Sequence, residues 1–284
     1  MNWQNPFIRD LVERALNEDI WTGDITTEAV IPAERQAVGR VWTKVDGVIA
    51  GLPLLRQVFL QIDPSLRIEL LVEDGYVATA GTTLANISGS ARSILLGERV
   101  ALNFLQRLSG IATRTSRLAE PIKFYQGRIL DTRKTTPGLR LLEKYAVRMG
   151  GGYNHRYGLY DAVLIKDNHI AVAGSIKEAV AAVRRRVGHT TKIEIEVESL
   201  EQLQEALDGR ADIIMLDNMP VEMMKEAVKL AHGKAILEAS GGINEENIVE
   251  VAKTGVDYIS IGAITHSVKS LDISLDIELE QPSA

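Results

Sequence analysis

The sequence predicts an α/β protein whose C-terminal half forms an α/β barrel. Short apolar runs alternate there with helical patterns of about 10–15 residues, which is typical of βαβ units and a parallel sheet. Polar residues also recur where successive strands end, and in barrel enzymes that end of the strands holds the active site. A doubly wound sheet fits the same alternation and stays open as the alternative.

Six apolar runs are the candidate strands of this sheet: 128–131, 162–165, 192–197, 211–216, 235–238 and 256–261. Five helical patterns lie among them: 137–149, 175–187, 199–207, 220–232 and 244–254. Ser199 suits the N-cap of its helix. Glu245 and Glu246 suit the positive end of a helix dipole.

The residue pattern in the first part of the chain predicts a separate α+β domain of roughly 110 residues, within the usual domain size. It has a short helical pattern at 7–18, β-type alternation at 37–52 and 66–90, and a long helical stretch at 93–125 with a break at Ser109-Gly110. We expect this domain to span residues 1–112 and to be joined by residues 272–284, which leaves 113–271 for the barrel.

Bulk composition excludes several classes of protein. The 284 residues include no cysteine, so disulfides, thiol nucleophiles and cysteine-ligated zinc are ruled out. The N-terminus carries no secretory pattern, and no run approaches the roughly 20 apolar residues that cross a bilayer. We expect a cytoplasmic protein with no membrane partner.

A local excess of positive charge is the most informative feature of the sequence. Eight Lys or Arg and three acidic residues lie between Arg128 and Lys166, although the whole chain has a net charge of −6. A basic cluster inside an acidic protein indicates a small polyanionic ligand and not nucleic acid, which needs a broad basic surface.

Five cationic or imidazole side chains are expected near one mouth of the barrel: Arg133, Lys134, His155, Arg156 and Lys166. Arginine suits bidentate binding of carboxylates. Lys166 has two other interpretations, a surface salt bridge and a Schiff-base lysine of the aldolase kind. A metal-ligand role for His155 is weaker, because no second histidine lies at a ligand spacing.

Two turns rich in small residues are candidate phosphate sites. Ser240-Gly241-Gly242 lies between a strand and a helical pattern, and Gly262-Ala263 follows the next strand. Barrels often bind phosphate at the loops after their last strands, through backbone N–H groups and a helix N-terminus. Ordinary tight βα turns are the alternative.

Two carboxylates end neighbouring candidate strands and would point into the same mouth. Glu196 and Asp217 suit Mg²⁺, which takes one or two protein carboxylates together with substrate oxygens. Ion pairing with nearby Arg or Lys is an equal alternative. Glu194 and Glu198 share a strand face with Glu196, so spacing alone does not choose among them.

Together these residues resemble the quinolinate phosphoribosyltransferase family, also called carboxylating nicotinate-nucleotide pyrophosphorylase. The resemblance covers nearly the whole chain. Its motifs are Glu18-Asp19 with 23–27, Glu98-Arg99 with 101–103, 108–113, 131–135, 151–156, 165–169, 216–218, 238–242 and 262–267.

The resemblance implies an N-terminal open α/β sandwich, an incomplete barrel of seven strands, and a homodimer in which Arg99 enters the neighbouring subunit's site. It implies that Arg133, Lys134, His155, Arg156 and Lys166 bind substrate. It also assigns Glu196 and Asp217 to the ribose and Mg²⁺, directly or through water, and the turns at Ser240, Gly241, Gly242, Gly262 and Ala263 to the 5′-phosphate.

The implied reaction converts quinolinate and phosphoribosyl pyrophosphate to nicotinate mononucleotide, pyrophosphate and CO₂ in NAD biosynthesis. The expected catalytic residues are Lys134, Lys166, Glu196 and Asp217, with either lysine able to assist proton delivery. Three rivals stay open: a related transferase with another acceptor, such as the paralogue of molybdate uptake operons; a Schiff-base lyase; and a non-catalytic phosphosugar binder.

Overall fold

The computed structural model describes residues 1–279 and divides the chain into two compact units. The N-terminal unit comprises residues 1–114, 148–150 and the segment from 268 onward, and the barrel unit comprises residues 115–147 and 151–267. Residues 280–284 of the predicted segment 272–284 lie outside the described residues.

The N-terminal unit is built on a four-stranded antiparallel sheet in the order β12-β1-β5-β3. Alternate residues of β1 are buried, as expected for a strand with one face on the core. The elements are α1 (Pro6–Ile20), α2 (Ile25–Val30), β1 (Gln36–Thr43), β2 (Gly47–Val48), α3 (Leu52–Ile62), β3 (Arg67–Leu70), β4 (Val77–Ala78), β5 (Thr83–Ser90), α4 (Ala91–Ala119) and β12 (Ile273–Leu279).

Helix α4 corrects one expectation, because it runs without interruption through the predicted break at Ser109-Gly110. A side chain at Gly110 would collide with the carbonyl oxygen of Lys269. The glycine therefore permits a close approach of backbone to helix within the N-terminal unit. Ser109 also fits inside the helix, where its buried hydroxyl accepts a hydrogen bond from the backbone N–H of Ala50 at 3.0 Å.

The barrel unit is built on a six-stranded parallel sheet in the order β6-β11-β10-β9-β8-β7. The elements are a 3₁₀ turn (Glu120–Ile122), β6 (Arg128–Leu130), α5 (Arg140–Met149), β7 (Val163–Ile165), α6 (Asp167–Ala173), α7 (Ile176–Arg184), β8 (Ile193–Val197), α8 (Leu200–Asp208), β9 (Ile213–Asp217), α9 (Val221–Ala231), β10 (Ile236–Ser240), α10 (Ile248–Ala252), β11 (Tyr258–Ser260) and α11 (Ala263–His266).

The strand order identifies a barrel and not a doubly wound sheet, because the first strand, β6, pairs with the last, β11. Within the described chain, β6 and β7 are not paired, and Tyr153 instead forms a single parallel bridge to Leu130 of β6. Counting this bridge, seven segments contribute to an incomplete barrel. The predicted fold class is confirmed.

Helix boundaries near the site differ from the predicted ones by up to four residues. Helix α5 begins at Arg140, after a turn at 137–139, and α10 begins at Ile248 after a turn at 245–247. Ser199 is the N-cap of α8, as expected, and accepts a hydrogen bond from the backbone N–H of Gln202. No helix in the described part of the chain is long and apolar enough to cross a bilayer.

Candidate active site

A cavity of about 630 Å³ lies at the carboxyl ends of the parallel strands in the barrel unit. Twelve of the predicted site residues line it: Arg133, Lys134, His155, Arg156, Lys166, Glu196, Asp217, Ser240, Gly241, Gly242, Gly262 and Ala263. Strand register explains this convergence, since Glu196 pairs with Met215 and Asp217 pairs with Ser240 across β8, β9 and β10.

The basic cluster divides into two groups. Four of its eight cations line the cavity, namely Arg133, Lys134, Arg156 and Lys166, and the other four, Arg128, Arg140, Lys144 and Arg148, do not. Sequence proximity therefore overestimated the charge at the cavity surface.

The first cationic loop follows β6 and carries Arg133 and Lys134. Thr132 shapes it by accepting a hydrogen bond on Oγ1 from the backbone N–H of Lys134 at 3.0 Å. Thr265 anchors the loop by donating its hydroxyl to the carbonyl oxygen of Lys134 at 2.8 Å. The stem of Lys134 also packs against Gly262, where an added Cβ would lie 3.0 Å from Lys134 Cδ. Lys134 thus bridges the cationic wall and the second small-residue turn.

The second cationic loop carries His155 and Arg156. Asp161 folds it by accepting hydrogen bonds from the backbone N–H groups of Tyr157 at 2.7 Å and Gly158 at 2.9 Å. Arg156 donates Nη1 to the carbonyl oxygen of Ala162 at 3.0 Å, which fixes the guanidinium on the cavity wall.

Arg133 and Arg156 face the same space with unfulfilled hydrogen-bonding capacity. The Nε–H groups of both are buried without a partner among the described residues. Burial and the neighbouring charge of Arg133 lower the pKa of Arg156. Two like-charged guanidinium groups lining one cavity are an arrangement that an anionic ligand would stabilise.

A fully buried ion pair lies behind these loops. Lys144 of α5 donates to Asp131 at the end of β6, and both side chains have no solvent exposure. Asp131 also accepts from Asn154 Nδ2 at 2.6 Å and from the backbone N–H of His155 at 2.9 Å, while Lys144 donates to the carbonyl oxygen of His155 at 2.8 Å. Burial raises the pKa of Asp131 and lowers that of Lys144, so each depends on the other to stay charged.

The two predicted metal carboxylates have protein partners. Glu196 Oε2 accepts a hydrogen bond from Lys166 Nζ at 2.7 Å. The ion pair that was an alternative interpretation of Glu196 and of Lys166 is therefore formed. Asp217 Oδ2 accepts from Asn218 Nδ2 at 2.7 Å. Both residues line the cavity, and the hydrogen bonds engage one oxygen of each carboxylate, which fits partial or water-mediated binding of Mg²⁺.

A buried acidic cluster next to His155 is the feature that sequence reasoning missed. His155 Nδ1 accepts from the backbone N–H of Arg156 at 2.7 Å, and Nε2 lies 3.1 Å from Glu194 and 3.8 Å from Glu238. Both ring nitrogens of His155 therefore contact protein groups. Burial, followed by the charge of Glu194, raises the pKa of Glu238 to about 8, so this carboxyl holds a proton at neutral pH.

The first glycine-rich turn has the backbone geometry of an anion site. Gly241 and Gly242 both adopt positive φ, at 93° and 62°, and their backbone N–H groups form no hydrogen bond within residues 1–279. A side chain at Gly241 would collide with Asn218. The helix after this turn begins only at Ile248, so the N–H groups, and not an adjacent helix end, are what the turn offers a phosphate.

Arg99 is the predicted site residue that does not line this cavity. It lies on α4 within the N-terminal unit, its side chain is 63% exposed, and it is 3.7 Å from Glu98.

The fold and the site together define an α/β-barrel enzyme for a small polyanionic substrate. Comparison with known proteins specifies the class further. The family profile described as "Quinolinate phosphoribosyl transferase, C-terminal domain" matches residues 111–276, and the corresponding N-terminal domain profile matches residues 24–109.

Curated relatives and solved structures agree with these matches. The chain is 46% identical over 276 residues to the probable carboxylating nicotinate-nucleotide pyrophosphorylase of Bacillus subtilis, covering 97% of this chain and 95% of that protein. It is 42% identical to the mitochondrial decarboxylating quinolinate phosphoribosyltransferase 2b of Nicotiana tabacum, covering 96% and 83%.

Among solved structures, NadC from Streptococcus pyogenes superposes with a TM-score of 0.94 at 43% identity, covering 96% of this chain and 97% of that one. The nicotinate-nucleotide pyrophosphorylase of Francisella tularensis gives 0.93 at 43% identity, with the same coverages. The chain belongs to the quinolinate phosphoribosyltransferase family, as the motifs predicted.

Proposed function

We propose that this protein transfers the phosphoribosyl group of phosphoribosyl pyrophosphate to quinolinate, releasing pyrophosphate and CO₂ and forming nicotinate mononucleotide. The single observation that carries the proposal is that Arg133 and Arg156 line one cavity, near enough for the charge of Arg133 to lower the pKa of Arg156, in a chain that belongs to this family.

The cationic wall suits an acceptor with two adjacent carboxylates. Arg133 and Arg156 offer donors for two anionic groups, and Lys134 adds a third positive charge beside them. A dicarboxylate would relieve the repulsion between the guanidinium groups as well as supply hydrogen-bond acceptors. Holding both carboxylates fixes the ring nitrogen relative to the sugar, which lowers the entropic barrier to attack.

The small-residue turns and the carboxylates of the cavity suit the phosphoribosyl donor. The open N–H groups at Gly241 and Gly242 would bind the 5′-phosphate, together with the turn at Gly262-Ala263. Glu196 and Asp217 would hold Mg²⁺ at least partly through water, and the ion would supply charge neutralisation for the leaving pyrophosphate. Their negative charge also stabilises positive charge developing on the ribose ring.

The decarboxylation needs no separate cofactor. Once the ring nitrogen is ribosylated, the pyridinium accepts the electron pair that remains when the 2-carboxylate leaves as CO₂, and one proton then replaces it at C2. Lys134 and Lys166 both line the cavity and carry transferable protons. Lys166 Nζ donates to Glu196 Oε2 at 2.7 Å, which orients the side chain of Lys166 in the cavity.

We further propose a homodimer in which Arg99 completes the neighbouring subunit's site, and a cytoplasmic location. The exposed position of Arg99 is compatible with a partner surface. Mixing Arg99→Ala with Lys166→Ala protein should restore part of the activity, because half of the sites in a hybrid dimer are then intact. Absence of activity in purified heterodimers would contradict the shared site.

The assay that tests the function is pyrophosphate release from phosphoribosyl pyrophosphate with Mg²⁺, comparing quinolinate with nicotinate. Turnover with quinolinate alone supports the dicarboxylate pocket. Turnover with neither acid would indicate a relative that uses another acceptor, and hydrolysis independent of any acceptor would contradict the transferase mechanism.

A further inference from the structure

Arg140, at the first position of α5, contacts both cationic loops without lining the cavity. Its Nε donates to Thr135 Oγ1 at 2.9 Å and its Nη2 to the carbonyl oxygen of Arg133 at 3.4 Å. Its Nη1 donates to the carbonyl oxygen of Tyr157 at 2.9 Å. One guanidinium therefore joins the loop that carries Arg133 and Lys134 to the loop that carries His155 and Arg156.

The need for such a link follows from charge. The two loops present like charges to each other across the cavity, and the proximity of Arg133 is one cause, after burial, of the lowered pKa of Arg156. Without an anion between them, these charges push the loops apart. Hydrogen bonds from a third residue to both loops oppose that separation.

The attachment points make the link effective. Arg133 and Thr135 enclose Lys134 in the first loop, and Tyr157 directly follows Arg156 in the second. Fixing these carbonyl and hydroxyl groups therefore sets the distance between the two cationic loops. A rigid ligand with two adjacent carboxylates is sensitive to that separation, because misplacement by about 1 Å can reduce catalysis by roughly a hundredfold.

The planar shape of arginine matters here. Three nitrogens of one rigid group reach three acceptors on two loops. A lysine at this position keeps the charge but has all its donors on a single nitrogen, which cannot reach the three acceptors in the same geometry.

We propose that Arg140 is a positioning residue that sets the spacing of the two cationic loops and thereby the affinity for the dicarboxylate acceptor. The inference rests on the proposed function. It assigns Arg140 a larger effect on quinolinate than on phosphoribosyl pyrophosphate, since none of its three hydrogen bonds reaches the turns at Gly241 and Gly262.

The test compares Arg140→Lys with Arg128→Lys in the full-length protein. Arg128 is the control, because its guanidinium also has three acceptors, here carbonyl oxygens that Nη1 reaches at 2.8, 2.9 and 3.4 Å, but it lies at the amino end of β6, away from the cavity. Steady-state KM values for quinolinate and phosphoribosyl pyrophosphate are measured beside the thermal unfolding midpoint.

Arg140→Lys should raise the KM for quinolinate at least tenfold, change that for phosphoribosyl pyrophosphate less than twofold, and shift the midpoint no more than Arg128→Lys does. A parallel rise in both KM values, or equal kinetics for the two variants, overturns the proposal. The double variant with Arg133→Lys should show less than additive effects on quinolinate, and additivity overturns it.

Wild-type turnover with quinolinate is measured first in the same assay. If the wild-type protein does not turn over quinolinate, both the proposed function and this inference are wrong. Normal wild-type turnover with no selective effect of Arg140→Lys removes the inference alone.

Discussion

The buried pair of Lys144 and Asp131 gives the sharpest stability prediction. Lys144→Met keeps the approximate volume of the side chain and removes its charge, leaving Asp131 with no solvent exposure and only neutral hydrogen-bond donors. Breaking such a pair costs about 3–5 kcal/mol of unfolding free energy. Because the three tryptophans lie at positions 3, 21 and 42, urea unfolding should be followed by far-ultraviolet circular dichroism, which also reports on the barrel unit.

The deficit should depend on pH in a defined direction. Burial raises the pKa of Asp131, and without the ammonium the native state takes up a proton at this carboxyl more readily than the unfolded chain does. Stability of the variant therefore falls as pH rises, by up to about 1.4 kcal/mol per pH unit.

The matched control is Lys225→Met, which removes an exposed ion pair with Glu222 and should cost less than about 1 kcal/mol. A Lys144→Met loss of unfolding free energy that is equally small, or identical at pH 6 and pH 8, would contradict a buried, uncompensated charge on Asp131.

Three further predictions concern charge and backbone geometry. Glu238→Gln should match wild type near pH 4.5 and exceed it in unfolding free energy by pH 8, because the pKa of Glu238 is raised from 4.5 in the unfolded chain to about 8, and wild-type stability falls as pH rises between these values; equal pH profiles in urea titrations would argue against a protonated Glu238. Gly241→Ala should raise the KM for phosphoribosyl pyrophosphate and not for quinolinate, since φ is 93° and the added Cβ meets Asn218; an unchanged KM would count against a phosphate turn. Arg133→Ala should raise the KM for quinolinate by roughly 10–150-fold, the loss expected for hydrogen bonds to a charged group of about 1.5–3 kcal/mol, with little change in thermal midpoint; unaltered quinolinate kinetics would contradict carboxylate binding by Arg133.

The alternation of strands and helices allowed the barrel to be predicted because parallel strands are buried on both faces and read as apolar runs. The residues that follow those runs, from Arg133 to Gly262, were placed at one cavity for the same reason. The seventh segment could not be found from periodicity, since Tyr153 contributes one bridge and no strand.

Other features depend on tertiary contacts that leave little local signal. The pattern at Gly110 suggests a break, yet packing against the Lys269 backbone requires a glycine inside a continuous helix. Helix α3 was missed, because Gly51 at its N-cap and Pro53 in its first turn resemble a turn. Glu238 could have been noticed as an acid inside an apolar run, but its partner His155 is distant in sequence.

Arg140 illustrates the limit for the site itself. Its charge was counted with the cluster, whereas its function as a link depends on where three acceptors lie after folding. Counting charges in the sequence indicates the type of ligand. Only the folded geometry distinguishes cations that line the cavity from cations that position the loops around it.

The most direct test of the central claim is a stoichiometric one. Quinolinate labelled with ¹³C at the 2-carboxylate is incubated with the enzyme, phosphoribosyl pyrophosphate and Mg²⁺, and labelled CO₂ and pyrophosphate are measured together. One labelled CO₂ is expected for each pyrophosphate, with nicotinate mononucleotide as the product. Pyrophosphate release without labelled CO₂, or turnover only with a monocarboxylate, would contradict it.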